Sequence, residues 1–238
     1  YAATIQGNYE VAINAAMDLK KSSRKHQHST AGYEKNMASP WHLNKIFGRW
    51  DAILKESPPK LDTPYLRGMW AYTLGSAHAN TGDLKRAKEQ LRIIKAILDE
   101  PEVNKSRVTV TSVSNLLTLA GHGLDGEIKE ADGDLVGAIE SYQKAITLED
   151  KGSYIEPPAW AQPMRHYLGA VLLKANRAEE AEKVYRRDLR WNAKNGWSLL
   201  GLYQALADQG KTKEAADTYA LYEEAWHHSD TPLKASRK

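Results

Sequence analysis

Six turns punctuate the 238-residue chain, and five of them are followed five residues later by alanine. They are Gly7-Asn8-Tyr9 with Ala12, Gly82-Asp83-Leu84 with Ala87, Gly133-Asp134-Leu135 with Ala138, Asn176-Arg177-Ala178 with Ala181, and Gly210-Lys211-Thr212 with Ala215. The sixth, Gly48-Arg49-Trp50, has Ile53 in place of the alanine. In the last four units Leu91, Tyr142, Tyr185 and Tyr219 follow the alanine by one helical turn and so share its face. The turns lie 41, 34, 51, 43 and 34 residues apart. A unit of this size cannot bury its own apolar face, so a recurring one must stack on its neighbours.

An apolar-periodic stretch precedes the turns as well, as in Trp70–Gly75 and Tyr167–Leu172, so each unit reads as helix, tight turn, helix. The periodicity predicts helices over 9–21, 31–46, 49–56, 63–81, 83–99, 105–131, 134–149, 161–175, 178–192, 195–209 and 212–228. Pro58-Pro59, Pro101 and Pro157-Pro158 fall between them, where helix breakers belong. Val108–Val113 alternates like a strand, but an isolated strand has no pairing partner, and helix is the expectation there. Two spacings exceed the norm. An extended first helix around 103–117 takes up one excess, and an inserted loop over 151–160 takes up the other.

The paired Leu74-Gly75 and Leu168-Gly169, the turn glycine or asparagine, and the Ala-x-x-x-aromatic pattern resemble tetratricopeptide (TPR) repeats. The resemblance covers nearly the whole chain and is strongest over 64–98 and 157–228. It implies an all-α, right-handed superhelical solenoid of antiparallel helix pairs. The units run over about 31–60, 61–102, 103–152, 153–193 and 194–230, after a half unit at 1–30 and before a tail at 231–238. The half unit offers only a second helix, which leaves an apolar face unpaired, so the expectation is a piece of a longer solenoid. Glu149-Asp150, Tyr154-x-Glu156-Pro157-Pro158-x-Trp160-x-x-Pro163-x-Arg165 and Asn195-Gly196-Trp197 further resemble a group of bacterial TPR proteins generally without an assigned activity.

Composition narrows function mainly by exclusion. With 33 Lys plus Arg against 30 Asp plus Glu, the net charge is only +3, and no continuous basic stripe points to nucleic acid. The absence of cysteine removes disulfides, thiolate metal sites and cysteine nucleophiles. No apolar run approaches the length of a membrane span, so a soluble chain is expected, with cytoplasm and periplasm both open. Seven Trp and 12 Tyr against one Phe favour surfaces where one end of the ring is wet.

The repeat register turns particular first-helix residues toward the concave groove: Lys35, Ala38, His42 and Lys45, then Met69, Tyr72, Ser76 and Asn80. Glu127 and Glu130 follow, then His166, Leu173 and Lys174, and finally Trp197, Leu200 and Gln204. His42, Lys45, Tyr72, His166, Trp197 and Gln204 are the candidate partner contacts in the groove, with Tyr154, Trp160 and Arg165 in the loop. His78 turns inward. Metal binding is not expected, since His26-Gln27-His28 and His227-His228 each lack a third ligand.

Phosphate loops, nucleophile elbows and dinucleotide motifs are absent from the sequence, and no cofactor is expected. The expected function is a non-catalytic scaffold for a protein or peptide, the basic runs at 20–26 and 234–238 being a solvated loop and a frayed end. A structural subunit of a larger assembly is the first alternative. A hydrolytic or small-ligand site built from Glu127, Glu130 and His122, with Asp125 nearby, is the second, and it requires those side chains to converge in a cavity.

Overall fold

In a computed structural model, residues 1–24, 33–58, 63–152 and 155–238 are described. They form helices α1 (Ala2–Ile5), α2 (Tyr9–Arg24), α3 (Tyr33–Ile46), α4 (Trp50–Lys55), α5 (Pro64–Asn80) and α6 (Leu84–Leu98). A two-stranded hairpin follows, β1 (Arg107–Val108) and β2 (Thr111–Ser112). Then come α7 (Val113–Ala131), α8 (Leu135–Asp150), α9 (Met164–Lys174), α10 (Ala178–Leu189), α11 (Gly196–Asp208) and α12 (Thr212–Trp226). The chain divides into two compact units, residues 13–161 and residues 1–12 with 162–238.

Local chemistry sets the helix pairs. Gly82 and Gly133 both adopt φ 87°, a conformation that costs a side chain energy, and Asn176 takes their role at φ 57°. The aspartate after each glycine then caps the second helix. Asp83 accepts from the Arg86 amide at 3.1 Å and Asp134 from the Gly137 amide at 2.8 Å. At the opposite end of a pair, Thr63 and Pro64 start α5, the proline where its missing N–H costs nothing.

In the unit of residues 13–161, α5 packs between the pairs α3/α4 and α7/α8 and beside α6. Its core includes Trp41, Leu66, Met69, Tyr72, Ile94, Leu117 and Leu124, with Trp41 and Trp70 edge to face at 5.2 Å between centroids. The helix expected over 105–131 begins only at Val113. The partner that a strand at Val108 needs lies three residues on, where Arg107 pairs Ser112 and Val108 pairs Thr111 across a turn with Thr109 at φ 56°. The loop thereby buries Val103, Val108 and Val113. Val110, at the tip of the turn, is 55% exposed, so of the alternating valines only Val108 and Val113 serve the core.

In the unit of residues 1–12 and 162–238, α9/α10 and α11/α12 stack. Tyr185 of α10 fills the gap between α9 and α11, which close on it through Gly169 and Gly201. A Cβ on either glycine would sit 2.3 or 2.2 Å from the tyrosine ring. The one-turn helix α1, absent from the sequence expectation, joins this unit. Thr4 O accepts from Trp197 Nε1 at 3.0 Å, and Asp230 caps α2 by accepting from the amides of Tyr9 and Glu10, both at 2.8 Å.

Candidate functional site

On the first-helix side of the 13–161 unit, the predicted groove residues form a connected buried cluster. Lys45 of α3 lies 3.1 Å from Glu127 of α7, with side chains 3% and 1% exposed. Glu127 also accepts from Ser76 Oγ and Asn80 Nδ2 of α5, each at 3.0 Å. These contacts give the buried carboxyl oxygens the partners without which burial would be costly. The Lys45 ammonium stands 4.7 Å from the Tyr72 ring centroid, a cation–π contact in a dry setting. His42, one turn before Lys45, is pushed down to about 4 by burial and by the charges of Lys45 and Lys35.

The inserted loop covers this cluster. Trp160 rests on Tyr72 with centroids 5.3 Å apart, and Lys35 Nζ donates to the carbonyls of Pro157 and Pro158, each at 2.8 Å. Burial lowers the Lys35 pKa, with the Glu156 carboxylate acting in the opposite sense. The expectation that Lys45 and Tyr72 lie open to a partner is therefore corrected: both are buried, because the chain's own loop and an internal ion pair cover them. Lys35, Ser76 and Glu127 were in the expected groove but not among the favoured contacts, and they carry the geometry. Tyr154 and His26–His28 lie outside the described residues.

Glu127, Glu130 and His122 do not converge. Glu127 faces Lys45 as above, whereas Glu130 accepts from Tyr142 Oη at 3.2 Å. His122 is held neutral toward lower pH first by burial, then by Lys144, Lys129 and Lys95 against the opposing pull of Asp125. Asp125 is itself bound by Lys129 at 2.7 Å and Ser141 at 2.5 Å. Three successive turns of one helix point these groups at different neighbours, which corrects the proposed acid–base cluster. Among the described residues there is no group of three His, Asp or Glu side chains placed to hold a metal.

In the unit of residues 1–12 and 162–238, His166 and Trp197 are each 1% exposed, so they too are covered and not open groove contacts. The reason is a polar network that the sequence did not disclose. Asp188 of α10 accepts from Ser198 Oγ at 2.6 Å, Asn195 Nδ2 at 3.0 Å and Asn192 Nδ2 at 3.1 Å. Burial raises its pKa, but the neighbouring His166 and the bonds from Ser198 and Asn192 outweigh that and leave it below the ordinary value. Asn195 Nδ2 also contacts His166 Nε2 at 2.7 Å, which ties α9, α10 and the start of α11 together. Arg165 is half-buried on α9.

The tail expected to fray is packed instead. Ser236 is fully buried, and Gln204 Nε2 donates to Lys234 O at 2.7 Å. Nothing in the sequence marks Ser236, because a serine inside a basic run carries no periodic signal. Only its contacts with the His166 carbonyl of α9 and Tyr185 of α10 reveal it.

Protein-family models give no match to the chain, and neither do the curated proteins. Among solved structures it is similar to BtubC (BKLC) from P. vanneervenii, at 12% identity and TM-score 0.53 over 95% of this chain and 96% of that one. A Q17M variant of a Podosopora anserina protein with nearly identical kinesin light chain TPR-like repeats aligns at 16% identity and TM-score 0.49, covering 90% of this chain and 95% of that chain. The chain is an all-α protein of stacked helix pairs, and its fold is similar to that of BtubC. None of its described helices is long and apolar enough to cross a membrane.

Proposed function

We propose that this helical-repeat scaffold is non-catalytic and binds protein or peptide segments on the faces built by its first helices. One observation carries the reading: each compact unit already holds an irregular stretch of its own chain on that face. Lys35 and Tyr72 hold Pro157, Pro158 and Trp160 in one, and Gln204 and the α9 backbone hold Lys234 and Ser236 in the other. Main-chain carbonyls are the principal targets, and contacts to carbonyls accept many sequences. A preformed surface of this kind also avoids the ordering cost of binding. His42, Lys45, Tyr72, His166 and Trp197 support the surface from beneath, Gln204 and Arg165 are its accessible members, and Trp160 belongs to the loop held on it.

The test is selection of peptides from a random library on the purified chain, followed by hydrogen-exchange mapping of the bound state. Protection centred on α3, α5, α9 and α11 is expected. Selected peptides that protect only α4, α6, α8, α10 or α12 would overturn the reading.

A subunit role in a larger assembly is the second reading. Met17 and Leu19 of α2, 52% and 45% exposed, favour it, as apolar surface that another chain would cover. Charging Met17 and Leu19 would then abolish assembly but leave peptide selection unchanged.

A further inference from the structure

Ser236 is the most informative residue of the tail. Its single hydroxyl proton goes to the His166 carbonyl at 2.8 Å, so the 2.7 Å contact with Tyr185 is donated by the tyrosine. The position thus requires a group that donates and accepts at once, in a space with no exposure. Arg237 follows, its guanidinium 5.2 Å from the Tyr167 ring centroid. Gln204 takes the Lys234 carbonyl, and Thr231 is anchored separately through its carbonyl by Trp226 Nε1 at 2.8 Å and Ser229 Oγ at 3.0 Å. Between these points Pro232 and Lys234 are exposed, and Leu233 and Ala235 are only half-buried.

The segment is therefore held by a few directional contacts with little apolar burial. Contacts of that kind exchange readily with those of an equivalent segment. The receptor groups are the His166 carbonyl, the Tyr185 hydroxyl, the Gln204 amide and the Tyr167 ring. The helices that carry these groups are tied to one another by contacts that do not involve the tail, the Asp188 network and the Gly169–Tyr185–Gly201 packing.

We propose that residues 232–238 occupy, in cis, a ligand site on the first-helix face of this unit, and that its trans ligand is a short basic peptide presenting serine followed by arginine. The proposal rests on the scaffold reading above and names the ligand class for one of its surfaces. Tethering places the tail at an effective concentration near the millimolar range, so it suppresses a free competitor in proportion to its occupancy.

The experiment uses the full chain and a fluorescein-labelled peptide, Pro-Leu-Lys-Ala-Ser-Arg-Lys, read by anisotropy. Ser236→Glu puts a carboxylate against a backbone carbonyl in a closed space and expels the tail. Ser236→Ala with Arg237→Ala loosens it without inserting charge and serves if the first variant is unstable, with circular dichroism as the fold control. Peptide affinity at least about tenfold above that of the unaltered chain is expected for Ser236→Glu. Adding Gln204→Ala, or replacing the peptide serine with alanine, removes the gain. Folded variants that bind no better than the unaltered chain would overturn the proposal, as would equal binding of the alanine peptide, which would reduce the effect to charge. Concentration-dependent dimers of the unaltered chain exchanging tails would overturn the cis assignment. Library peptides that bind without competition from the tail peptide would sink this proposal and leave the scaffold reading standing.

Discussion

Lys45 and Glu127 face each other across α3 and α7 at 3.1 Å, both out of water. Removing one partner leaves the other as a buried charge, so Lys45→Met or Glu127→Leu alone is expected to lower the unfolding free energy by about 3–5 kcal/mol. The double variant removes both charges and should recover most of that loss. Urea denaturation of the four proteins checks this, and single variants within about 1 kcal/mol of the parent would remove the pair's role as an anchor.

His42 gives the fold an acid-sensitive element. Its pKa of about 4 in the folded chain lies below the ordinary histidine value of 6.5, so between those values the unfolded chain binds the extra proton. Stability therefore falls as pH drops from about 6.5 to 4, by up to about 3 kcal/mol at about 1.4 kcal/mol per pKa unit. His42→Gln should flatten most of that slope in urea midpoints measured across the range. His78 and His122 are lowered by burial in the same direction and supply what remains.

Tyr185 is gripped by two glycines, and an added methyl group meets its ring from either side. Gly201→Ala is expected to cost about 1–3 kcal/mol through overpacking, without altering helix content. Combining it with Tyr185→Leu should cost less than the sum of the two single changes, because the smaller side chain leaves room. Strict additivity in a double-mutant cycle would argue against the contact.

Trp160 and Lys35 hold the inserted loop over Tyr72. Trp160→Ala or Lys35→Met is expected to raise the rate of proteolytic cleavage within residues 155–161 about tenfold, the equivalent of about 1.4 kcal/mol of local opening. The helical signal should stay constant. An unchanged cleavage rate would mean that the loop is held elsewhere.

The helix pairs were legible in the sequence because their causes are local. Gly82-Asp83 and Gly133-Asp134 each supply a left-handed turn and a cap within two residues, and Ala87, Ala138 and Ala181 mark the close-packed face at fixed spacing. The 107–112 hairpin was misread for a near-local reason: the alternation was visible, but the partner strand was not recognised three residues away. The burial of the expected groove residues was not legible. Burial of Tyr72 depends on Trp160, 88 positions further along the chain, and burial of Lys45 on Glu127, 82 positions further.

The sequence by itself determined that the chain folds as stacked helix pairs, since turn geometry, capping and helical periodicity act over a few residues. Tertiary structure alone decided what lies on the first-helix faces. Lys35 bonds carbonyls more than 120 residues away, and Ser236 closes on His166 across 70 residues. Such contacts depend on how the helices stack, and no short stretch of sequence carries that information.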